Sequence, residues 1–314
     1  MSLETILPFL RPIADLIRDA SISDVMVNGS GRIFFERDGE IHEATDVTVR
    51  EQHLRIAVQN AARVLGEDIS EERPILDARL SDGSRVAAVL PPISVGGTSL
   101  TIRKFQSQRF TAEELVRIGT LTADQLQILR QAIDARDNIL ISGGTGTGKT
   151  TLLNALVAFM PAAHRVALIE DTAELQLDVR NLLRFEARRE QTGLPAVTIR
   201  DLVRASLRHR PDRILVGEIR GVEAFDLLQA LNTGHEGSLS TIHANGADQA
   251  LRRFAWCVMQ AGVGVPYPAI RHGLAECLQL LVHVERRLSH RVVTELVRVR
   301  RYQHESDTYE LESL

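Results

Sequence analysis

Residues 138–156 read NILISGGTGTGKTTLLNAL, which is an apolar run, a glycine-rich turn and then a sequence of good helix formers. Within it, Gly143, Gly148, Lys149 and Thr150 fit the pattern G-x-x-x-x-G-K-[ST]. Glycines in such a turn let consecutive backbone N–H groups converge on phosphate oxygens at the positive end of a helix. The order of strand, loop and helix therefore predicts a site for nucleotide phosphates.

The polar residues of this motif have separate expected tasks. Lys149 is expected to reach the β and γ phosphates of ATP. Thr150 is expected to hold Mg²⁺ through its hydroxyl, because this hard ion keeps most of its waters and takes few protein oxygens. The alternative is a glycine-rich turn that binds nothing, which the Lys-Thr pair and the strand-to-helix context argue against. The predicted nucleotide-binding residues are Gly143, Gly144, Thr145, Gly146, Thr147, Gly148, Lys149, Thr150 and Thr151.

Length and composition limit the class of protein. The 314 residues suffice for about two domains, and 44% hydrophobic with 25% charged residues is typical of globular protein. No apolar run approaches the roughly 18 residues of a membrane span, and Glu4 stands where a secretory signal carries Lys or Arg, so we expect a cytoplasmic protein. Cys257 and Cys277 are too few for a tetrahedral zinc site and are interpreted as buried apolar residues. A net charge of −4 gives no strong signal for nucleic-acid binding.

The first part of the chain, residues 1–105, has the pattern of an α+β domain. Residues 3–18 carry apolar side chains at helical spacing, interrupted by Pro8 and Pro12. We interpret them as a kinked segment that packs on its own domain, with attachment to a membrane surface as the alternative. Hairpin signals such as Asp38-Gly39 separate short strand-like runs. The predicted strands are 24–28, 32–36, 40–43, 76–80, 85–90 and 99–104, and the predicted helix is 48–65.

Residues 106–120 are interpreted as a linker or hinge, and residues 121–314 as a second domain. After the phosphate motif, strands alternate with helices, which predicts a mostly parallel sheet covered by helices. The charged last residues are expected to fray. The predicted helices are 122–135, 200–208, 222–231, 251–259 and 267–275, and the strands after the motif are 165–170, 213–216, 238–242, 278–284 and 292–299.

Two acidic positions directly follow predicted strands, Glu170-Asp171 and Glu218. Nucleotides bind at the carboxyl ends of parallel strands, so both positions are aimed at the phosphate site. ATP hydrolysis requires a bound Mg²⁺ and a water in line with the γ phosphate. We assign Glu218 to polarising this water, and Glu170 to the water or the second shell of Mg²⁺. A helix-start role is the alternative, and it fits Glu170 and Asp171 better than Glu218.

Two histidines bracket the predicted strand 238–242. On spacing alone, His235 and His243 are more often structural than catalytic, and neither has a carboxylate or cysteine at zinc-ligand spacing. An imidazole beside the γ phosphate can report its presence by hydrogen bonding. His243, at the strand end, is therefore the better candidate.

Arginines form a third group of candidates. A solvated basic face is one interpretation, but in a ring an arginine from another domain or subunit can neutralise the transferring phosphoryl group. Arg103 has the strongest case, because it ends a strand immediately before the hinge. The other candidates are Arg79, Arg85, Arg184, Arg188, Arg189, Arg208, Arg210 and Arg213.

Together these segments resemble the secretion ATPase superfamily, in its type IV secretion and conjugation branch. The motifs are GGTGTGKT at 143–150, IED at 169–171, RPDRILVGEIRG at 210–221 and TGH through TIHA at 233–244. In the first domain, DARL at 77–80, DGSRV at 82–86 and TIRK at 101–104 extend the resemblance, which covers most of the chain. The absence of a tetracysteine module points away from the type II secretion branch and toward the conjugative transfer ATPases.

The resemblance implies an α/β protein with a RecA-like P-loop NTPase C-terminal domain and a smaller α+β, PAS-like N-terminal domain. It implies a Mg²⁺-dependent ATPase motor that forms a homohexamer, docks on the cytoplasmic side of the inner membrane with other components of the apparatus, and powers conjugative pilus assembly or substrate transfer. It places Glu170 in an acid box, Glu218 in a second acidic motif, His235 and His243 in a histidine box, and Arg103 across the hinge.

Two other functions remain as alternatives. A nucleic-acid translocase of the RecA-like hexamer type needs a basic pore with stacking aromatic side chains, and aromatic residues make up only 4% of the chain. A scaffold that assembles with ATP and scarcely hydrolyses it is the second alternative.

Overall fold

The computed structural model describes residues 2–37, 39–105, 110–188, 190, 194–287 and 290–314. The chain divides into two compact units, residues 1–108 and 109–314. The predicted turn at Asp38, the start of the predicted linker at 106–109, and Arg189 lie outside the described residues. No helix among the described residues is long and apolar enough to span a membrane.

The first unit is built on a six-stranded antiparallel sheet in the order β3-β2-β1-β6-β5-β4. Its long helix buries Leu54, Ala57, Val58 and Ala61, which recur at the spacing of one helix face. Its elements are α1 (Leu3–Ile6), α2 (Ala14–Arg18), β1 (Ile22–Val27), β2 (Ile33–Arg37), β3 (Glu40–Glu43), α3 (Glu51–Val64), β4 (Ile75–Arg79), β5 (Arg85–Val89) and β6 (Ser99–Arg103), with 3₁₀ turns at Leu7–Phe9 and Arg11–Ile13.

The N-terminal segment packs on its own unit, as the sequence predicts. Its two prolines fall in the 3₁₀ turns between α1 and α2, because proline cannot continue an α-helix. The side chains of Ile6, Ile13 and Ile17 are at most 3% exposed and lie in the core of the first unit. The apolar face of this segment is therefore used for packing.

The second unit contains an eight-stranded sheet in the order β14-β13-β12-β7-β11-β10-β8-β9. The pairs from β12 to β9 are parallel, and β13 and β14 add an antiparallel edge. Its elements are α4 (Ala112–Arg117), α5 (Ala123–Asp134), β7 (Ile139–Gly143), α6 (Lys149–Val157), β8 (Val166–Glu170), β9 (Leu182–Glu186), α7 (Ile199–Ser206), β10 (Arg213–Ile219), α8 (Glu223–Leu231), β11 (Leu239–Ile242), α9 (Ala247–Gln260), α10 (Tyr267–Cys277), β12 (Leu280–Arg287), β13 (His290–Gln303) and β14 (Thr308–Ser313), with a 3₁₀ turn at Leu207–His209.

Helices cover both faces of this second sheet. Alternate residues of β7 show the two faces: Leu140 belongs to the core formed with α8, α9 and α10, whereas Ile139 and Ile141 belong to the core formed with α5 and α6. Cys257 and Cys277 are buried as free thiols in the first of these cores. The predicted parallel sheet covered by helices is confirmed.

Three local features differ from the sequence analysis. Part of the predicted linker forms α4, which begins at a capping box in which the Thr111 hydroxyl accepts from the Glu114 N–H. Strand β9 was not predicted, because its half-exposed residues lack a clean alternation. The C-terminal residues do not fray. They form β14 beside β13, and Tyr309 anchors this strand at 8% exposure.

Candidate nucleotide site

Glycine is required at three positions of the loop between β7 and α6. At Gly143, a Cβ atom would lie 2.3 Å from the carbonyl oxygen of Val284 on the neighbouring β12. Gly146 and Gly148 have φ angles of +70° and +91°, in the left-handed region that other residues rarely adopt. The loop is therefore shaped by backbone conformations and by a close strand contact that only glycine permits.

The predicted phosphate lysine is held by this loop. Nζ of Lys149 donates to the carbonyl oxygens of Gly143 at 3.0 Å and Gly144 at 2.8 Å. The residue is only 7% exposed, although a lysine beside a surface loop is usually exposed. Burial lowers the pKa of its ammonium group, while the charge of Glu218 opposes that effect. Nζ of Lys149 thus contacts the loop, and the negative charge of Glu218 favours its protonated form.

Glu218 lies near the end of β10, next to the carboxyl end of the neighbouring parallel strand β11. Its Oε2 accepts a hydrogen bond from Nε of Arg220 at 2.6 Å, and the same guanidinium lies 3.3 Å from the carboxylate of Asp171. Its Oε1 lies 2.6 Å from Nε2 of His243, but the approach lacks hydrogen-bond geometry. Oε1 is therefore buried without a hydrogen bond from any described residue, and it remains able to accept one.

His243 follows β11 and joins this cluster. Burial and the charge of Lys149 lower the pKa of its imidazole, while the charge of Glu218 raises it, and the net shift is downward. The imidazole is therefore neutral at pH 7. For Arg220, burial lowers the pKa, but its hydrogen bond and charge interaction with Glu218 outweigh that effect, so it stays a cation. The expected convergence of the motifs at the carboxyl ends of the strands is confirmed for Lys149, Glu218 and His243.

Glu170 has a different environment. Its Oε1 accepts from the N–H groups of Glu174 and Leu175, both at 2.8 Å, and its Oε2 lies 3.7 Å from a nitrogen of Arg184. The residue is 3% exposed, and burial raises the pKa of its carboxyl group against the opposing effect of the two N–H donors. This carboxylate therefore holds the loop that follows β8. The alternative of a helix-start role was wrong for Glu170, because the element that follows β8 is the strand β9.

The variant Glu170→Gln separates the two roles. An amide oxygen can still accept both N–H bonds, so the fold should be kept within about 1 kcal/mol at pH 7. Because the folded-state pKa of the carboxyl group is raised, the wild type should lose stability relative to the variant as pH rises through that pKa. If Glu170 also orients the attacking water or a water bound to Mg²⁺, ATP turnover by Glu170→Gln should fall by about tenfold. Thermal unfolding at pH 5 and pH 7.5, together with ATP turnover, measures both effects. Unchanged turnover would leave Glu170 with the loop-holding role alone.

Arg213 occupies neither of its predicted roles. It is fully buried, and its guanidinium donates to the carbonyl oxygens of Gly237 at 3.0 Å and Ile133 at 2.8 Å and to Nδ1 of His164 at 3.0 Å. It stands at the start of β10, at the edge of the sheet opposite to Glu218. Both the solvated basic face and the phosphate contact were therefore wrong for this residue.

Other candidates have partners within their own unit. His235 precedes β11, and its Nδ1 lies 3.1 Å from the carbonyl oxygen of Ala230 near the end of α8. Arg103 belongs to the first unit, where its Nε donates to Asp24 on the paired strand β1 at 2.9 Å. In the same unit, Arg85 lies 3.7 Å from Asp77.

Two arginines lie at the site that the sequence analysis did not predict there. Arg220 lies within the second acidic motif, and its place two residues after Glu218 was the available signal. Arg291 lies on β13, far along the chain, and its Nε donates to the carbonyl oxygen of Gly146 in the phosphate loop at 3.1 Å. No sequence pattern links Arg291 to that loop, because the contact depends on the order of strands in the sheet.

Known proteins resemble this chain over most of its length. Residues 9–308 match the family described as Type II/IV secretion system protein. Conjugal transfer protein TrbB of Rhizobium radiobacter is 36% identical over 290 residues, which cover 91% of this chain and 86% of that protein. An uncharacterized protein of Methanocaldococcus jannaschii is 42% identical over 233 residues, and the match covers 71% of this chain but only 32% of that longer protein. The crystal structure of the VirB11 ATPase from the Brucella suis type IV secretion system, in complex with sulphate, is 31% identical with a TM-score of 0.51, and the match covers 93% of this chain and 94% of that one.

Proposed function

The chain belongs to the Type II/IV secretion system protein family, and from this membership we propose that it is an ATPase motor of a type IV secretion or conjugation system. Hydrolysis of ATP would power conjugative pilus assembly or substrate transfer. The similarity to a conjugal transfer protein over most of both chains supports this branch of the family, and the VirB11 ATPase supports the activity.

The observation that carries the ATPase activity is that Glu218 lies close enough to the phosphate loop for its charge to act on Lys149. In hydrolysis, a water oxygen bonds to the γ phosphorus while the bond to the β,γ-bridging oxygen breaks, giving ADP and phosphate. The buried Oε1 of Glu218 can accept a hydrogen bond from this water and polarise it. Lys149 would exchange its loop carbonyls for oxygens of the β and γ phosphates.

One side-chain oxygen at the phosphate loop is suited to hold Mg²⁺ that binds together with ATP. The hydroxyl of Thr150, in the first turn of α6, makes no hydrogen bond to any described residue and is the oxygen we assign to the ion. Mg²⁺, when bound, neutralises negative charge on the phosphates. The remaining loop residues, 143–148 and Thr151, would surround the phosphates, and neutral His243 would report the γ phosphate by hydrogen bonding.

The two units support a motor that works by domain closure. We assign residues 1–105 to a PAS-like domain and residues 121–314 to a RecA-like domain, with a hinge at 106–120. Arg103 would approach the γ phosphate from the first domain when the hinge closes, and domain closure of this kind can convert nucleotide binding into movement. The family resemblance favours a homohexamer that is attached to the cytoplasmic face of the inner membrane through other components of the apparatus.

ATP turnover by the wild type at a stated low salt concentration tests this function. It should be measured alone, with anionic lipid vesicles and with single-stranded DNA, because DNA affinity depends strongly on salt. We expect Mg²⁺-dependent turnover that lipid stimulates and DNA does not. Strong stimulation by DNA alone would favour the nucleic-acid translocase. Nucleotide binding without turnover in any condition would favour the scaffold.

A further inference from the structure

The strands β12 and β13 form a hairpin, and described residues of both strands lie beside the phosphate loop. Strand β12 lies parallel to β7, and Val284 pairs with Gly143, the first glycine of the loop. The chain continues beyond this pair to Arg287 and returns as β13 from His290. Residues at the start of β13 therefore lie next to the loop, although they are more than 140 residues away in sequence.

Arg291 on this hairpin is in direct contact with the loop. Besides the Nε bond to Gly146, its stem packs against Gly148, where an added Cβ atom would lie 3.0 Å from Cδ of Arg291. Arg291 forms no ion pair with a carboxylate of the described residues. In contrast, Nε of Arg287 on the same hairpin donates to Glu285 at 3.2 Å. The guanidinium of Arg291 is thus held at the loop, and no carboxylate of the described residues is paired with its charge.

The order of strands decides which part of a nucleotide Arg291 faces. Strand β11, which His243 follows, and strand β10, which contains Glu218, lie on one side of β7, and β12 lies on the other. Water attacks the γ phosphorus, so the γ phosphate must lie on the side of Glu218. The phosphate chain then has its α end on the opposite side, where the hairpin stands.

We propose that Arg291 binds the α phosphate end of the nucleotide, through a charge-assisted contact that ATP and ADP share. This inference rests on the proposed ATPase function and assigns the nucleotide-binding role of one further residue. Arg291 then sets the affinity for both nucleotides and takes no part in the attack on the γ phosphate.

Binding of ADP and of a non-hydrolysable ATP analogue, each with Mg²⁺, tests this role in the wild type, Arg291→Ala and Arg291→Lys. We expect Arg291→Ala to raise both dissociation constants by about tenfold with their ratio unchanged, and to leave kcat at saturating ATP within about twofold. The dissociation constants of Arg291→Lys should lie between those of the wild type and Arg291→Ala, because lysine keeps the positive charge but lacks the planar guanidinium group. Arg287→Ala is the matched control, and it should bind both nucleotides as the wild type does.

Direct contact can be distinguished from mere support of the loop with the two diastereomers of ADP that carry sulfur at the α phosphorus. Each places sulfur at a different non-bridging oxygen. A contact from Arg291 to one of these oxygens makes the wild type discriminate between the diastereomers, and Arg291→Ala should change that affinity ratio.

Three results would overturn the inference: unchanged affinity in Arg291→Ala, an effect confined to the ATP analogue, or an unchanged ratio between the diastereomers. If the wild type itself binds no nucleotide, the proposed function fails instead, so the two failures are distinguishable. Circular dichroism of each variant confirms that the exposed substitution leaves the fold intact.

Discussion

Lys149→Ala should lower kcat for ATP hydrolysis by about 10²- to 10³-fold, because the variant loses a preorganised cation at the transferring phosphoryl group. Since Lys149 is buried and donates two hydrogen bonds to the loop, the variant should also lose about 1–2 kcal/mol of stability. The folded unit should nevertheless persist, because these bonds lie at the loop and outside its apolar cores. ATP turnover and thermal unfolding measure the two effects.

Lys104 provides the control for this experiment, since it is the only other lysine of the chain. It lies in the first unit, where its Nζ donates to the carbonyl oxygen of Asp19. Lys104→Ala should leave turnover unchanged. Turnover by Lys149→Ala at the rate of this control would contradict the assignment of Lys149, as would an unfolded Lys149→Ala protein.

Glu218→Gln should retain ATP binding and lower hydrolysis by about 10²- to 10⁴-fold, the range expected when a positioned base is removed. The amide keeps the shape of the side chain but polarises the attacking water far less. The charge of Glu218 raises the pKa of His243, so the pKa of this imidazole should fall further in the variant. Turnover, nucleotide binding and an NMR titration of His243 measure the three effects.

Glu236→Gln is a suitable partner variant, because Glu236 precedes β11 at the opposite edge of the sheet from Glu218. It should hydrolyse ATP as the wild type does. Wild-type turnover in Glu218→Gln would remove Glu218 from the reaction. Loss of ATP binding in Glu218→Gln would mean that the carboxylate acts on the nucleotide complex as a whole and not on the water.

Local chemistry made the centre of the site predictable from the sequence. The loop residues Gly146 and Gly148 adopt left-handed backbone conformations, for which glycine is the natural choice, and the lysine and threonine follow at fixed spacing. Glu218 and His243 come directly after apolar strand sequences, and parallel strands bring such ends to one edge. Their positions could therefore be inferred without knowledge of the neighbouring strands.

Edge elements were less predictable. Strands β9 and β14 carry charged and exposed residues, so their sequences lack the apolar alternation of a half-buried strand. They become strands because a neighbouring strand offers its backbone hydrogen bonds. The helix α4 was overlooked because it has only six residues, although its capping box was present in the sequence.

The amino-acid sequence alone was sufficient for the phosphate loop, the alternation of strands and helices, and the acids that follow the strands, because each depends on residues close together in the chain. Tertiary structure decided that Lys149 is buried, that Arg213 binds carbonyl groups in the interior, and that Arg291 reaches the loop from β13. The contacts of Arg213 and Arg291 depend on which strands become neighbours in the sheet. That order follows from the packing of the whole unit, and no short stretch of sequence contains it.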